Sequence, residues 1–147
     1  MNESNVLISV RNLKKHFNVK GKGTLYAVDD VSFDINNGET LGLVGESGCG
    51  KSAVGNVLMG LLKTTAGQIL FEGKDLAGLS RHQRIDYCKK MQIVFQDPYS
   101  SLNPKKSVRQ ILYEPFTIHH FGSRAKIEQE VRGLCEKVGL EPALLDK

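Results

Sequence analysis

An α/β fold with a β-rich start is predicted by three observations. Apolar and polar residues alternate near the N-terminus, as in Ile8-Ser9-Val10-Arg11 and Val31-Ser32-Phe33-Asp34-Ile35. A short apolar run, Thr40 to Val44, passes through Gly45-Glu46-Ser47-Gly48-Cys49-Gly50-Lys51-Ser52 into a helix-like stretch, and these eight residues match G-x-x-x-x-G-K-[ST]. After Pro104 the periodicity becomes helical.

Val6 to Val10 and Val31 to Ile35 read as half-buried strands. Lys20-Gly21-Lys22-Gly23 between them is a hairpin-like connection, and Asn37-Gly38 marks a tight turn, so the first third is antiparallel β. Thr40 to Val44 lacks alternation, as a strand covered on both faces does. Val54, Val57, Leu58, Leu61 and Leu62 follow i, i+3, i+4, i+7, i+8 and predict a helix with one apolar stripe. Ala66-Gly67 precedes a strand at Ile69 to Phe71. Ser80 can N-cap a short helix through Cys88, and Gln92 to Phe95 reads as a buried strand. Ser107 opens a helix interrupted by Pro115. Ser123 opens a longer one, with stripe Ile127, Val131, Leu134, Cys135 and Val138 and Gly139 as its stop. Pro142 and the residues after it predict a short terminal helix.

A length of 147 residues fits one domain or part of one, and 40% hydrophobic with 24% charged residues is a globular composition. The formal charge of +4 is mild and the basic residues come in short groups such as Lys14-Lys15, Lys89-Lys90 and Lys105-Lys106, never as a long block, which argues against a nucleic-acid surface. The 3 cysteines, Cys49, Cys88 and Cys135, show no metal-ligand spacing and are expected to be reduced thiols. The Met1-Asn2-Glu3-Ser4 start has no basic, apolar leader pattern. No segment reaches the ~18 apolar residues that a span requires.

The glycine-rich loop specifies chemistry. Glycines let the backbone approach phosphate oxygens, successive amides form an anion nest, and the following helix adds its positive dipole end. Lys51 supplies a point charge for the β- and γ-phosphates, and Ser52 supplies a hard oxygen for Mg²⁺. Cys49 is a small residue that fits the loop. A thiol near a helix start and a lysine can also be reactive, and bound nucleotide is expected to shield it from alkylation.

With Gln92-Ile93-Val94-Phe95-Gln96-Asp97-Pro98 some forty residues beyond the loop, the chain resembles ATP-binding subunits of ABC transporters. The resemblance runs from Val6 to the end. Val31 to Ile35, Gly38-Glu39-Thr40, the loop, and Gly67 to Leu76 follow in the family's order. Gln96 to Pro104 is similar to the oligopeptide/dipeptide importer branch, which includes nickel and glutathione importers. The implied fold is the P-loop NTPase core of an ABC ATPase. It would have an N-terminal antiparallel β subdomain and the start of a helical subdomain, truncated. One partial domain is expected over 1–147, with β subdomain and phosphate-loop core to about residue 105 and the helical start beyond.

The resemblance implies ATP and Mg²⁺ as cofactors. Gly45, Glu46, Ser47, Gly48, Cys49, Gly50, Lys51, Ser52 and Ala53 would bind nucleotide, and Ser52 and Gln96 would bind metal. Gln96 would be the Q-loop glutamine that reaches Mg²⁺ or the attacking water. Phe17 is the best positional match for the aromatic that stacks on adenine, with Tyr26 as the alternative because the insertion around Gly21 to Gly23 blurs the register. Ala53 stands where the family commonly has threonine, so weaker nucleotide binding is expected, through the backbone amide alone. Implied partners are transmembrane permease subunits through the Q-loop region, a second ATP-binding subunit and, indirectly, a solute-binding protein, with no nucleic acid. The implied location is the cytoplasmic face of the membrane, peripherally.

The family's signature loop, Walker B aspartate, catalytic glutamate and switch histidine are not found. Leu79-Ser80-Arg81-His82-Gln83 imitates the signature but comes early and lacks its glycines; it reads as a helix start. His119-His120 reads as a polar loop pair. The expectation is therefore an N-terminal fragment that couples ATP binding and hydrolysis to solute uptake only within a complete subunit and hydrolyses nothing alone. The alternative is a truncated, non-enzymatic gene product, and the DNA beyond codon 147 separates the two. A soluble ABC ATPase acting on DNA or ribosomes is disfavoured by the Tyr99 to Pro104 match. A GTPase is disfavoured by the lack of an Asn-Lys-x-Asp segment.

Overall fold

The computed structural model describes residues 5–147, apart from the side chains of Arg81, Pro98, Ser100 and Pro142; the Met1 to Ser4 start lies outside the described residues. Two compact units divide the chain, one reaching to Ile93 and the other Val94–Lys147.

The first unit is built on a four-stranded antiparallel sheet. Its strands are β1 (Val6–Val19), β2 (Gly23–Asn36), β3 (Ala66–Phe71) and β4 (Lys74–Asp75), in the order β2-β1-β3-β4. The first two strands are far longer than alternation predicts, because bulges break the period of two. Val10 opposes Phe33 and Leu13 opposes Val31, so β1 carries an extra residue there, where Asn12 turns left-handed with φ 46°. That turn puts both Val10 and Leu13 on the core face, fully buried. Two extra residues in β2 follow, around Asp30 (φ 61°) and at Ala27.

Helix α1 (Lys51–Leu58) and helix α2 (Arg81–Lys90) complete this core. Val54 and Val57 pack with Val10, Leu13, Val28, Ile69 and Phe71, and Tyr87 from α2 lies edge-on to Phe71. The Tyr87 hydroxyl donates to the Leu58 carbonyl at 2.7 Å, and burial pushes its pKa well above the usual phenol range. Ser80 caps α2, as the sequence predicts, and the cap is reciprocal, with Gln83 reaching back to the Ser80 amide.

Several expectations are corrected. Helix α1 ends a turn before its predicted stripe does. Gly60 turns left-handed (φ 69°), the Leu61 amide reaches back to the Asn56 carbonyl, and the Gly60 amide reaches Val57. This closes the helix as a Schellman motif and leaves Leu61 exposed. The strands expected at Thr40 to Val44 and Gln92 to Phe95 are not formed. A strand needs a neighbour to take its amides and carbonyls, and among the described residues neither run has one. Leu41, Leu43 and Val44 are exposed as a result, Val44 at 90%.

The second unit holds a short α3 (Pro98–Ser101), α4 (Val108–Ile118), α5 (Arg124–Val138) and a 3-10 turn at Pro142–Leu144. Ser107 and Gln110 form a capping box on α4, and Ser123 caps α5. Pro115 does not interrupt α4; the box and the packing of Leu112 and Phe116 offset the one lost backbone bond. The core is Ile127, Val131, Cys135 and Leu145. Leu134 and Val138 lie off that line and are exposed, so the expected stripe is narrower than predicted.

Candidate functional site

Gly45 to Ser52 follows the unpaired run after Thr40 and enters α1 at Lys51. Two glycines turn the chain through conformations that favour their residue type, Gly48 at φ 84° and Gly50 at φ 97°. Gly50 also has no room for a side chain. A β-carbon there would collide with the Ala27 carbonyl oxygen and lie 3.6 Å from Val28 Cγ2. The base of the loop is thus set against the Ala27 bulge of β2. A β-carbon at Gly45 would come within 2.6 Å of Cys49 Sγ.

Lys51 spans the loop from its far end. Its ammonium donates to the carbonyls of Gly45 (2.7 Å) and Glu46 (2.6 Å), with Cys49 Sγ at 3.5 Å. The loop closes on itself through the Cys49 amide to the Glu46 carbonyl at 3.3 Å. Among the described residues no acceptor takes the amides of Gly48, Gly50, Lys51 or Ser52, and Gly50 gives α1 no side-chain cap. Those amides, the dipole start of α1 and one ammonium form an arrangement suited to a polyanion. The Ser52 hydroxyl is exposed in the first turn. One hydroxyl fits Mg²⁺, which keeps waters and phosphate oxygens for most of its shell. Among the described residues no cluster of His, Cys, Asp or Glu offers a separate metal site.

The two aromatic candidates separate by face. Lys14 and His16 both reach Asp29, at 3.0 and 3.3 Å, so they share one face of β1. His16 opposes Tyr26, and their rings meet edge-on at 4.5 Å. Tyr26 therefore lies on the face opposite Leu13. Lys15 and Phe17 alternate onto the Leu13 face, which is the face α1 covers, and Lys15 opposes Val28 at the base of the loop. The Lys15 ammonium sits 4.6 Å from the centroid of the Phe17 ring.

Gln96 is exposed and belongs to the second unit, whereas the phosphate loop belongs to the first. Next to it, Asp97 accepts from the Tyr99 amide at 3.0 Å and so turns the chain into α3. Val94 (96%) and Tyr99 (91%) are almost fully exposed, with Phe95 and Leu102 about half so. Sequence reasoning missed Ala27 and Val28 as the backing of the loop. No local signal marks them, because a bulge in another strand sets that approach.

Three comparisons bear on these residues. Residues 28–146 match the profile of the ABC transporter family. The oligopeptide transport ATP-binding proteins OppF and AppF of Bacillus subtilis (strain 168) are 48% and 44% identical, over 91% and 93% of this chain. The chain spans 44% of the length of each. Among solved structures, the ATP-binding cassette MJ0796 in a dimeric post-hydrolysis state bound to ADP and Pi superposes with a TM-score of 0.76 at 21% identity, covering 95% of this chain and 60% of that one. The cbiO1 protein of Clostridium perfringens, part of the transporter complex cbiONQ, gives 0.72 at 28% identity over 98% of this chain and 54% of that one.

Proposed function

The chain belongs to the ABC transporter family and carries part of its ATP-binding domain, and we propose that it is the N-terminal part of the ATP-binding subunit of an importer for oligopeptides. The fold is that of ABC ATPase cassettes. The observation that carries the functional reading is the loop itself: the amides of Gly48, Gly50, Lys51 and Ser52, which among the described residues have no acceptor, beneath an ammonium that bridges the loop. The names of the relatives support a peptide as the transported solute.

In this reading the loop amides, including Ala53 N–H, grip the phosphates of ATP and Lys51 exchanges its carbonyl partners for β- and γ-oxygens. Phe17 offers a ring face to adenine. Ser52 would hold Mg²⁺, which when bound neutralises charge on the β- and γ-phosphates. Gln96 is the Q-loop glutamine of this reading, and Tyr99 to Pro104, where Tyr99 and Leu102 are exposed, faces a transmembrane permease subunit. A second ATP-binding subunit completes the site in the full-length protein, which acts peripherally at the cytoplasmic face of the membrane. Residues to about 105 form its β and phosphate-loop portion, and the helical portion begins after them.

Calorimetry with MgATP on the wild-type chain and on Lys51→Ala tests the reading. Binding is expected for the wild type, with a loss of at least about tenfold in the variant, as removal of a charge-assisted contact implies. Equal affinities would remove the loop from the site.

A further inference from the structure

We propose that Lys15 is a positioning residue for the base-stacking ring, its ammonium occupying one face of Phe17 so that the opposite face is presented to the base. The inference rests on the reading of the site as a nucleotide site and concerns residues outside the phosphate loop.

Neighbouring lysines on β1 have different surroundings. Lys14 points away from α1 and is tied to Asp29 at 3.0 Å. Lys15 alternates onto the other face. Among the described residues no carboxylate pairs with it, and its ammonium lies 4.6 Å from the Phe17 centroid, well inside the range in which a cation is attracted to a ring. Leu13, two residues earlier on the same face, is fully buried and fixes the strand beneath both side chains. Across the ladder Lys15 opposes the buried Val28, and Phe17 opposes Leu25. Val28 is also the residue that meets the base of the phosphate loop at Gly50. The lysine–aromatic pair is therefore built into the strand position beside the loop.

The consequence is selective. A ring already held on one side loses less rotamer freedom when a base stacks on the other. Lys15 should therefore strengthen binding of a ligand that has a base and leave a bare polyphosphate unaffected.

The test measures affinities of MgATP and of magnesium tripolyphosphate for the wild-type chain, Lys15→Met, Lys15→Arg and Phe17→Ala, and for Lys15→Met combined with Phe17→Ala. Lys15→Met should weaken MgATP about two- to fivefold, the range of an exposed cation–ring contact. Lys15→Arg should restore it, tripolyphosphate affinity should not change, and the effect of Lys15→Met should vanish when Phe17 is absent. An equal loss for tripolyphosphate would make Lys15 a phosphate ligand and overturn the assignment. So would additivity with Phe17→Ala, or a Lys15→Met variant that binds as the wild type does. If the wild type takes up neither ligand, the nucleotide reading fails and this inference with it. If it binds both and only the lysine variants are silent, the positioning role alone fails.

Discussion

Replacing Gly50 with alanine would set a methyl group against the Ala27 carbonyl oxygen while an L-residue held φ near 97°. Gly60 is the matched comparison: its φ is 69°, but a β-carbon there meets nothing within 4 Å. Gly60→Ala should therefore cost only the left-handed strain, about 1 kcal/mol. Gly50→Ala should cost about 2–3 kcal/mol or more and abolish MgATP binding. Thermal denaturation of the two variants checks the ordering, and similar melting temperatures would argue against the close approach. The loop was legible in sequence because its chemistry is local: eight consecutive residues carry the glycines, the lysine and the serine. Its support was not, since Ala27 contributes a carbonyl whose position depends on a bulge. That Phe17 and Tyr26 lie on different faces of the hairpin likewise needs the strand register, which no local signal carries.

Among the elements, the helices read more easily than the strands. Ser80, Ser107, Ser123 and Gly139 stand at the helix boundaries where sequence places them, because capping is a contact between residues three or four apart. The bulges at Asn12 and Ala27 are contacts between strands, and they hid most of β1 and β2. In the second unit Arg109 bridges Glu128 (2.9 Å) and Asp146 (2.7 Å), tying α4 to α5 and to the end of the chain. Its hydrogen bond holds the Asp146 carboxyl below the ordinary value of 3.8, and the guanidinium pKa rises correspondingly. A depressed carboxyl contributes stability that is complete above the ordinary value and lost as pH falls through the depressed one. This unit should keep its helical signal between about pH 5 and 7 and lose part of it below about pH 4. Asp146→Asn should shrink that acid-induced change. Circular dichroism across the range reads the difference, and identical acid profiles would show that the ion pair is screened out.

For the whole molecule, the fold class was legible and the state of its central strands was not. Thr40 to Val44 and Gln92 to Phe95 have strand composition, but pairing belongs to whatever lies alongside. Among the described residues that neighbour is lacking. Leu41, Leu43 and Val44 in one unit, and Val94, Phe95, Tyr99 and Leu102 in the other, present apolar surface to solvent. The 147-residue chain should consequently self-associate, eluting as mixed oligomers in gel filtration with light scattering. A monomer that melts in one sharp, cooperative step would contradict this. Helix α1 carries a different debt. It starts on a glycine whose side has nothing to offer the first amides, so the protein leaves its own helix unfinished. Small multivalent anions in a refolding or storage buffer should therefore raise the melting temperature of this chain, so that salt identity would count as well as ionic strength.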